Sequence, residues 1–192
     1  IRCGAVDNSR KGFHPGETVT AFAAGSQELY QFLHENRDIL IKGGYYTNAP
    51  AVIAQNRNMV SLNTALEIDL TGQCAAESMG FTQWSATGAQ TETVEGAQLS
   101  PGGKSILALP SCYTARSRTG EKVLRSKIVL SFRPGTIVST SRNDVDYVVT
   151  EYGTAWLRGQ PLDKRAKALI AIAHPSFRDQ LTADAKKYGL IF

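Results

Sequence analysis

The chain has 192 residues, a length that suits one domain with a sizeable apolar core. Its hydrophobic content of 42% and charged content of 20% are typical of a globular protein, and no apolar run approaches the roughly 20 residues of a transmembrane helix. The formal net charge is +4, but Lys and Arg are dispersed along the chain, which argues against a nucleic-acid-binding protein.

The cysteines bear on the cellular compartment. Cys3, Cys74 and Cys112 are odd in number and lack the spacing of metal ligands. Reduced, partly buried thiols are typical of a cytosolic protein, and no signal peptide is visible. We therefore expect a cytoplasmic protein that binds neither a membrane, nor nucleic acid, nor a metal.

The N-terminal part of the chain is polar up to residue 17. A strand is predicted over 18–24, and Ser26 is a suitable N-cap for the helix that follows. That helix carries an apolar stripe that we expect in the core, consisting of Leu29, Tyr30, Phe32 and Leu33. A second strand is predicted at Ile39–Ile41.

The next part of the chain contains a long alternating stretch. Pro50 suits the first turn of a short helix that precedes it. Over residues 60–71, apolar and polar residues occupy every second position, which predicts a half-buried strand or strand pair. Glu67 and Asp69 share the polar face with Asn63, and we expect both carboxylates in solvent.

Residues 79–132 mix loops, strands and one short helix. Residues 79–91 are rich in Gly, Ser, Thr and Gln and predict a loop, with a short helix over 92–99. A buried strand is predicted over 105–109, a polar loop over 110–122 and another strand over 127–132. The interleaving of strands with helices argues for an α/β domain with a mixed sheet.

Residues 147–150 are β-branched or aromatic and predict a short buried strand that runs into Glu151. A short helical pattern around Trp156 follows, and then two helices with a break at His174 and Pro175. Ligands of open α/β sheets bind at the carboxyl ends of strands. Glu151, next to a glycine, is therefore a functional candidate, and the alternative is a solvated turn residue or a charge at a helix start.

The sequence contains no GxSxG, HExxH, CxxC or phosphate-loop motif. Two further candidates are suggested by the chemistry of their residues alone. The loop glycine of Gly88-Ala89-Gln90 lets the backbone approach a ligand and present N–H groups to an oxyanion, or it simply makes a turn. Asn63 can donate a hydrogen bond to a carboxylate or a carbonyl, or it can satisfy backbone at a strand end.

Several long stretches resemble one enzyme family. The sequence DVDYVVTEYGTAWLRG at 144–159 resembles the signature DVxYVVTEYGxAxLRG of the acetyl-CoA hydrolase/transferase family, near the end of its C-terminal domain. The similarity extends to NMVSLNTALEIDLTGQCAAESMG at 58–80 and RAKALIAIAHPSFRDQL at 165–181, and it covers essentially the whole chain. The resemblance implies an open mixed sheet flanked by helices, of the NagB/RpiA/CoA-transferase-like kind.

The resemblance also implies roles for individual residues. Asn63 corresponds to an Asn that contacts the acyl-CoA or carboxylate ligand, and Glu151 to a Glu that binds and orients the substrate without being the nucleophile. Gly88, Ala89 and Gln90 correspond to part of GxGGQxDF, whose backbone amides stabilise an oxyanion; Ala89 replaces a glycine, which narrows the site and disfavours positive φ. Arg116 lies where relatives carry a lysine near the cofactor, which implies a phosphate or carboxylate contact.

The resemblance predicts that the chain is part of a longer enzyme. The sequence GAVDNSRKGFHPGE resembles the connector between the two halves of the family, and the chain starts at Ile1 without Met. We therefore expect residues 1–17 to be a connector from a missing N-terminal half and residues 18–192 to be the C-terminal CoA-transferase domain. The family's nucleophilic Glu lies in a GxHTEMxSDG motif that does not occur here, so we expect the isolated chain to be inactive.

The reaction implied by the resemblance moves CoA from a short-chain acyl-CoA to a carboxylate such as acetate, through a glutamyl-CoA thioester. CoA and the acid are then substrates, no cofactor is permanently bound, and the full-length protein is expected to be a homo-oligomer. The first alternative is an acyl-CoA hydrolase that uses water as the acceptor. The second alternative is a non-catalytic CoA-binding or interaction module.

Overall fold

The computed structural model describes residues 1–117 and 119–192. Its strands are β1 Thr18–Thr20, β2 Ile39–Ile41, β3 Val60–Thr64, β4 Glu67–Asp69, β5 Cys74–Ala75, β6 Ser78–Met79, β7 Thr82–Gln83, β8 Lys104–Ala108, β9 Cys112–Arg116, β10 Lys122–Ser126, β11 Ile128–Val129, β12 Tyr147–Thr150 and β13 Gly153–Trp156. Its helices are α1 Gln27–Leu33, α2 Gly44–Thr47, α3 Pro50–Ile53, α4 Gln90–Leu99, α5 Leu162–Ile172 and α6 Pro175–Lys187. The predicted mixed α/β class is confirmed.

The largest sheet has four strands in the order β13-β12-β8-β3. Strands β3, β8 and β12 are parallel, and β13 pairs antiparallel with β12 at one edge. Gly153 allows the reversal between these last two strands, because its φ of +138° is accessible to glycine but rarely to other residues. The sheet is therefore open and mixed, and its three parallel strands end at one common edge.

One face of this sheet carries the apolar core. Helix α4 packs on β3 and β8, and helix α5 packs on β12 and β13. Leu107 and Val148 are neighbours in register on this face, and both side chains are buried. The core continues through the C-terminal helices with the buried residues Ala166, Leu169, Ile170, Ile172, Leu181 and Ala185. Burial of this aliphatic surface is the main driving force that holds the helices on the sheet.

The opposite face of the sheet is largely open. Leu62, Ile106, Tyr147 and Trp156 lie in register with one another across the four strands. The side chain of Leu62 is 69% exposed, and that of Trp156 is 53% exposed. The helices of the described residues thus cover the sheet mainly from one side.

The alternating stretch 60–71 forms two successive strands, β3 and β4, which lie in different sheets. The expectation that Glu67 and Asp69 are solvated is wrong, since both are buried, whereas Val60 and Leu62 are exposed. Strand β4 is central in a three-stranded sheet, parallel to β11 and antiparallel to β5. Alternation identifies a strand, but the tertiary packing decides which of its faces is covered.

Two other predicted segments have a different secondary structure. The predicted polar loop 110–122 contains β9 and the start of β10, which pair antiparallel; Arg118, in that predicted loop, lies outside the described residues. The predicted helical pattern around Trp156 is the edge strand β13. Both segments find a partner strand next to them in the fold, and this pairing overrides weak local preferences.

The part of the chain before the main sheet contains a small unit, β1-α1-β2, with a parallel strand pair. Strand β2 has the predicted bounds, whereas β1 ends at Thr20. The Ser26 hydroxyl accepts a hydrogen bond from the Leu29 N–H and caps α1, as predicted. However, α1 buries none of its residues, so its apolar stripe is not part of the core. A two-stranded sheet offers too little surface to cover a helix.

Candidate active site

The carboxyl edge of the main sheet holds two of the predicted site residues. Asn63 lies near the end of β3, and Glu151 follows directly after β12. Both strands are hydrogen-bonded to β8, which lies between them. The sheet therefore positions the two side chains at the same edge, on strands that are separated by one neighbour.

Glu151 is anchored by the segment that follows β8. Its carboxylate accepts two hydrogen bonds from Ser111, one from the hydroxyl at 2.6 Å and one from the backbone N–H at 2.9 Å. The hydrogen bond from the Ser111 hydroxyl is the largest cause and lowers the pKa of the Glu151 carboxyl, while a smaller desolvation effect acts in the opposite direction. A carboxylate held ionised in this way is suited to orienting a ligand through charge and hydrogen bonds.

Asn63 and the segment 88–90 meet at one cavity of about 450 Å³. The cavity is lined by Asn63 and Thr64 of β3, by the start of α4 and by residues from 76–77, 85–89 and 137–139. Two candidates that are far apart in sequence are thus brought together by the packing of α4 against β3. Glu151 and Arg116 do not line this cavity.

The start of α4 presents backbone donors to the cavity. Ala89 is the N-cap residue, and its side chain makes no capping hydrogen bond. The first N–H groups of a helix have no partner within the helix, so they are available to an anionic atom of a ligand. Ala89 has φ of −86°, so the replacement of glycine by alanine here imposes no left-handed backbone. A Cβ on Gly88 would meet no atom within 4 Å.

Hydrogen bonds tie this helix start to the end of β3. The Asn63 side-chain amide donates to the Thr93 hydroxyl at 3.0 Å, and the Thr93 hydroxyl donates to the Gln90 carbonyl at 3.0 Å. The Gln90 side-chain amide donates to the Thr64 carbonyl at 3.3 Å. Residue 90 therefore supports the site through its side chain as well as through its backbone.

Sequence reasoning missed two carboxylates at this cavity. Glu77 and Glu92 both line it, and Glu92 Oε2 is buried without a hydrogen-bond partner among the described residues. The Thr87 hydroxyl donates to Glu77 at 3.3 Å. Among the described residues, the lining includes no Lys or Arg. In the sequence, only Glu92 could have been identified as a candidate, from its position in the first turn of a predicted helix.

Arg116 is not brought to the other candidates. It is an exposed residue at the end of β9, opposite Lys122 of β10 in the hairpin. Neither this cavity nor a second one of about 600 Å³ has Arg116 in its lining. The predicted contact of Arg116 with a phosphate or carboxylate stays a prediction.

The second cavity was not expected from the sequence. It lies between the N-terminal residues 5–14 and the segment 46–60. Its lining combines apolar side chains such as Val52 and Ile53 with the basic residues Arg10, Lys11 and Arg57. The His14 ring bridges Glu17 and the Tyr46 hydroxyl, each at 2.7 Å, and joins the N-terminal segment to α2.

A buried carboxylate lies outside both cavities. Glu67 on β4 is 3.6 Å from Arg133, and its side chain is almost fully buried. Burial raises the pKa of the Glu67 carboxyl, and the charges of Arg133 and Lys127 offset part of this effect. Its neighbour Asp69 instead accepts hydrogen bonds from Thr71 and Gln73.

The described residues contain no group of three or more His, Cys, Asp or Glu side chains arranged to hold a metal ion. They also contain no helix with the length and apolar character needed to cross a bilayer. All three cysteines are free, and burial raises the pKa of the Cys74 thiol to about 12.

Comparison with known proteins gives consistent results. The protein-family model of the acetyl-CoA hydrolase/transferase C-terminal domain matches residues 25–185 of the sequence. A succinyl-CoA:cyclohexane-1-carboxylate CoA transferase of Geobacter metallireducens is 48% identical over 98% of this chain, and a 4-hydroxybutyrate coenzyme A transferase of Clostridium kluyveri is 44% identical over 97%. The crystal structure of RipA from Yersinia pestis superimposes with a TM-score of 0.86 at 44% identity and covers the whole chain.

The chain spans only part of these proteins, 41% and 42% of the two transferases and 41% of RipA. The family model nevertheless matches most of the chain, including β3, α4 and β12, which carry Asn63, the helix start and Glu151. This chain therefore belongs to the acetyl-CoA hydrolase/transferase family and contains its C-terminal domain.

Proposed function

We propose that this chain is the C-terminal part of a CoA-transferase that moves CoA between a short-chain acyl-CoA and a carboxylate such as acetate. The proposal rests on sequence identity and cavity geometry taken together. A chain at least 44% identical to two named CoA-transferases also gathers Asn63 and residues 88–90 around one cavity.

In the proposed reaction, a glutamate carboxylate attacks the thioester carbonyl of the acyl-CoA and displaces the CoA thiolate, which gives an anhydride. The thiolate then attacks the glutamyl carbonyl and releases the acyl group as a carboxylate, which leaves a glutamyl-CoA thioester. The acceptor acid repeats these two steps in reverse order and leaves as the new acyl-CoA. The nucleophilic glutamate would come from the part of the longer relatives that this chain does not span.

The residues of this chain support those steps in three ways. The free N–H groups at the start of α4 stabilise the negative charge that develops on a carbonyl oxygen. Asn63 holds the ligand by hydrogen bonding, and the ionised Glu151 orients it at the sheet edge. In this proposal Arg116 binds a phosphate of CoA, a contact to be tested separately from the cavity residues.

The proposal extends to the whole protein. Residues 1–17 are a connector to an N-terminal half, the full-length enzyme is a cytoplasmic homo-oligomer, and CoA acts as a substrate with no permanently bound cofactor. The family description also includes hydrolases. An assay of the full-length enzyme with and without acetate distinguishes a transferase from a hydrolase, because a hydrolase releases CoA at the same rate in both conditions.

The first test is a calorimetric titration of this chain with CoA, beside the double variant Asn63→Ala, Glu151→Gln. We expect the unaltered chain to bind CoA and the double variant to bind more weakly. Equal binding by both proteins would contradict the assigned residues. No binding by either would contradict a preformed CoA site on this chain and would require the same titration on the full-length enzyme.

A further inference from the structure

The Asn63 side chain has both of its donor hydrogens occupied within the protein. Its Nδ2 atom donates to the Ser61 hydroxyl at 2.9 Å and to the Thr93 hydroxyl at 3.0 Å. A side-chain amide has two N–H hydrogens, and these two bonds use both of them. In the part of the chain that the structure describes, no donor reaches the Asn63 carbonyl oxygen Oδ1.

Thr93 fixes this orientation of the amide. A hydroxyl has one hydrogen, and that of Thr93 is donated to the Gln90 carbonyl. With its hydrogen on the Gln90 carbonyl, the Thr93 oxygen accepts the hydrogen bond from Asn63. A flipped amide would place Oδ1 against this oxygen, and the Thr93 hydroxyl would have to give up its bond to the Gln90 carbonyl to relieve the contact.

We infer that Thr93 is a positioning residue that makes Asn63 a hydrogen-bond acceptor for the ligand. Asn63 lines the cavity, so its free Oδ1 takes an uncharged N–H or O–H donor there. This inference rests on the proposed function, in which the ligand is an acyl-CoA. It reverses the direction expected from the sequence, where the Asn63 amide donates to a carboxylate or a carbonyl.

The neighbouring groups favour the same ligand chemistry. Glu77 and Glu92 line this cavity and carry only acceptor oxygens when ionised. A free carboxylate next to Asn63 Oδ1 would face these acceptors, and among the described residues no Lys or Arg lines the cavity to compensate its charge. Two parts of an acyl-CoA carry the uncharged donor instead, namely the amide N–H groups of the pantetheine arm and, in hydroxyacyl substrates, the hydroxyl of the acyl chain.

The positioning can be measured without any ligand, from the side-chain NH₂ signals of Asn63 in a ¹H–¹⁵N correlation spectrum, assigned by their loss in Asn63→Ala. We expect Thr93→Val to shift these signals and to speed their exchange with water, and Thr93→Ser to restore them. The matched control is Thr91→Val, because the Thr91 hydroxyl is in the same cavity but donates to the Ser139 carbonyl. Unchanged Asn63 signals in Thr93→Val would overturn the role of Thr93.

The ligand chemistry is measured by titrating the same variants with CoA, butyryl-CoA and 4-hydroxybutyryl-CoA. We expect Thr93→Val to weaken binding about three- to tenfold, as for the loss of one hydrogen bond, and Thr93→Ser to bind like the unaltered chain. Equal weakening for all three ligands identifies the pantetheine amide as the donor, and weakening for the hydroxyacyl ligand alone identifies the acyl hydroxyl. The control is Thr182→Val, whose hydroxyl makes a similar bond to the Arg178 carbonyl on α6.

The outcomes separate this inference from the proposed function. Shifted Asn63 signals with unchanged affinity for all three ligands would overturn the acceptor role of Asn63, even if CoA binds. A chain that binds none of the three ligands would contradict the proposed function on this chain and the ligand assignment together. The spectrum would still decide whether Thr93 holds the Asn63 amide.

Discussion

At the scale of single residues, Glu151 and Glu67 are two carboxylates whose pKa values are shifted in opposite directions by opposite environments. Glu151 is exposed, and the Ser111 donors favour its ionised form, so its pKa is lowered. Glu67 is buried, and its loss of hydration favours the protonated form, so its pKa is raised. Hydrogen bonding dominates at one site and desolvation at the other, which gives opposite dependences of stability on pH.

For Glu151, the lowered pKa means that the fold favours the ionised carboxylate. Its contribution to stability is present above the unfolded-state pKa and is lost as the pH falls through the folded-state value. Ser111→Ala removes the hydroxyl donor, so we expect the pKa of Glu151 to rise toward its ordinary value, as followed by NMR titration of the carboxyl carbon. Ser141→Ala, at an exposed serine away from Glu151, is the control, and an unmoved pKa in Ser111→Ala would contradict the assigned cause.

For Glu67, the dependence of stability on pH has the opposite sign. The raised pKa means that its contribution to stability is present below the unfolded-state pKa and is lost as the pH rises through the folded-state value. We expect Glu67→Gln to gain stability relative to the unaltered chain as the pH rises from about 4.5 to 7. Urea unfolding at both pH values measures this difference, and the exposed Glu95→Gln should show no such trend. A constant difference between the two proteins would argue that Arg133 and Lys127 fully compensate the buried charge.

At the scale of elements, the position of α4 depends on a close contact with α3. Gly96 of α4 lies against Ile53 of α3, and a Cβ added to Gly96 would come within 2.6 Å of two Ile53 side-chain atoms. The glycine therefore lets two helices approach closely. Because α4 also supplies the helix start at the cavity, this contact bears on the site as well as on the fold.

We expect overpacking in Gly96→Ala to cost about 1–3 kcal/mol. Alanine gains roughly 1 kcal/mol over glycine in a helix, so the expected net destabilisation is up to about 2 kcal/mol. Thermal or urea unfolding measures the change. Gly12→Ala is the matched control, because a Cβ there meets no atom within 4 Å and should alter stability little. Equal stability of Gly96→Ala and the unaltered chain would show that α3 can move away at little cost.

At the scale of the whole molecule, the main sheet has one covered face and one largely open face. Leu107 of β8 lies on the covered face and is 1% exposed, whereas Leu62 of the adjacent strand β3 lies on the open face and is 69% exposed. The same residue type on neighbouring strands thus has opposite environments. This asymmetry gives a direct test of the arrangement of the layers.

We expect Leu107→Ala to cost about 2–5 kcal/mol of stability, because it removes buried methyl groups and leaves a cavity. We expect Leu62→Ala to change stability by less than about 0.5 kcal/mol, as for other exposed positions. Urea unfolding of the two variants under identical conditions measures both effects. A loss of several kcal/mol in Leu62→Ala would contradict an open face on this side of the sheet.

The sequence by itself determined the α/β class, the bounds of β2 and β12, the N-cap at Ser26, the helix start at Pro50 and the family. These features depend on local patterns, namely β-branched runs, capping residues and long motifs, so they can be identified without knowledge of distant contacts. Only the tertiary structure decided that Glu67 is buried and Leu62 exposed, that the segment at Trp156 is an edge strand, and that Thr93 orients the Asn63 amide. The physical reason is the same in each case, because burial, strand pairing and side-chain hydrogen bonds depend on residues that are distant in the chain and adjacent only in the fold.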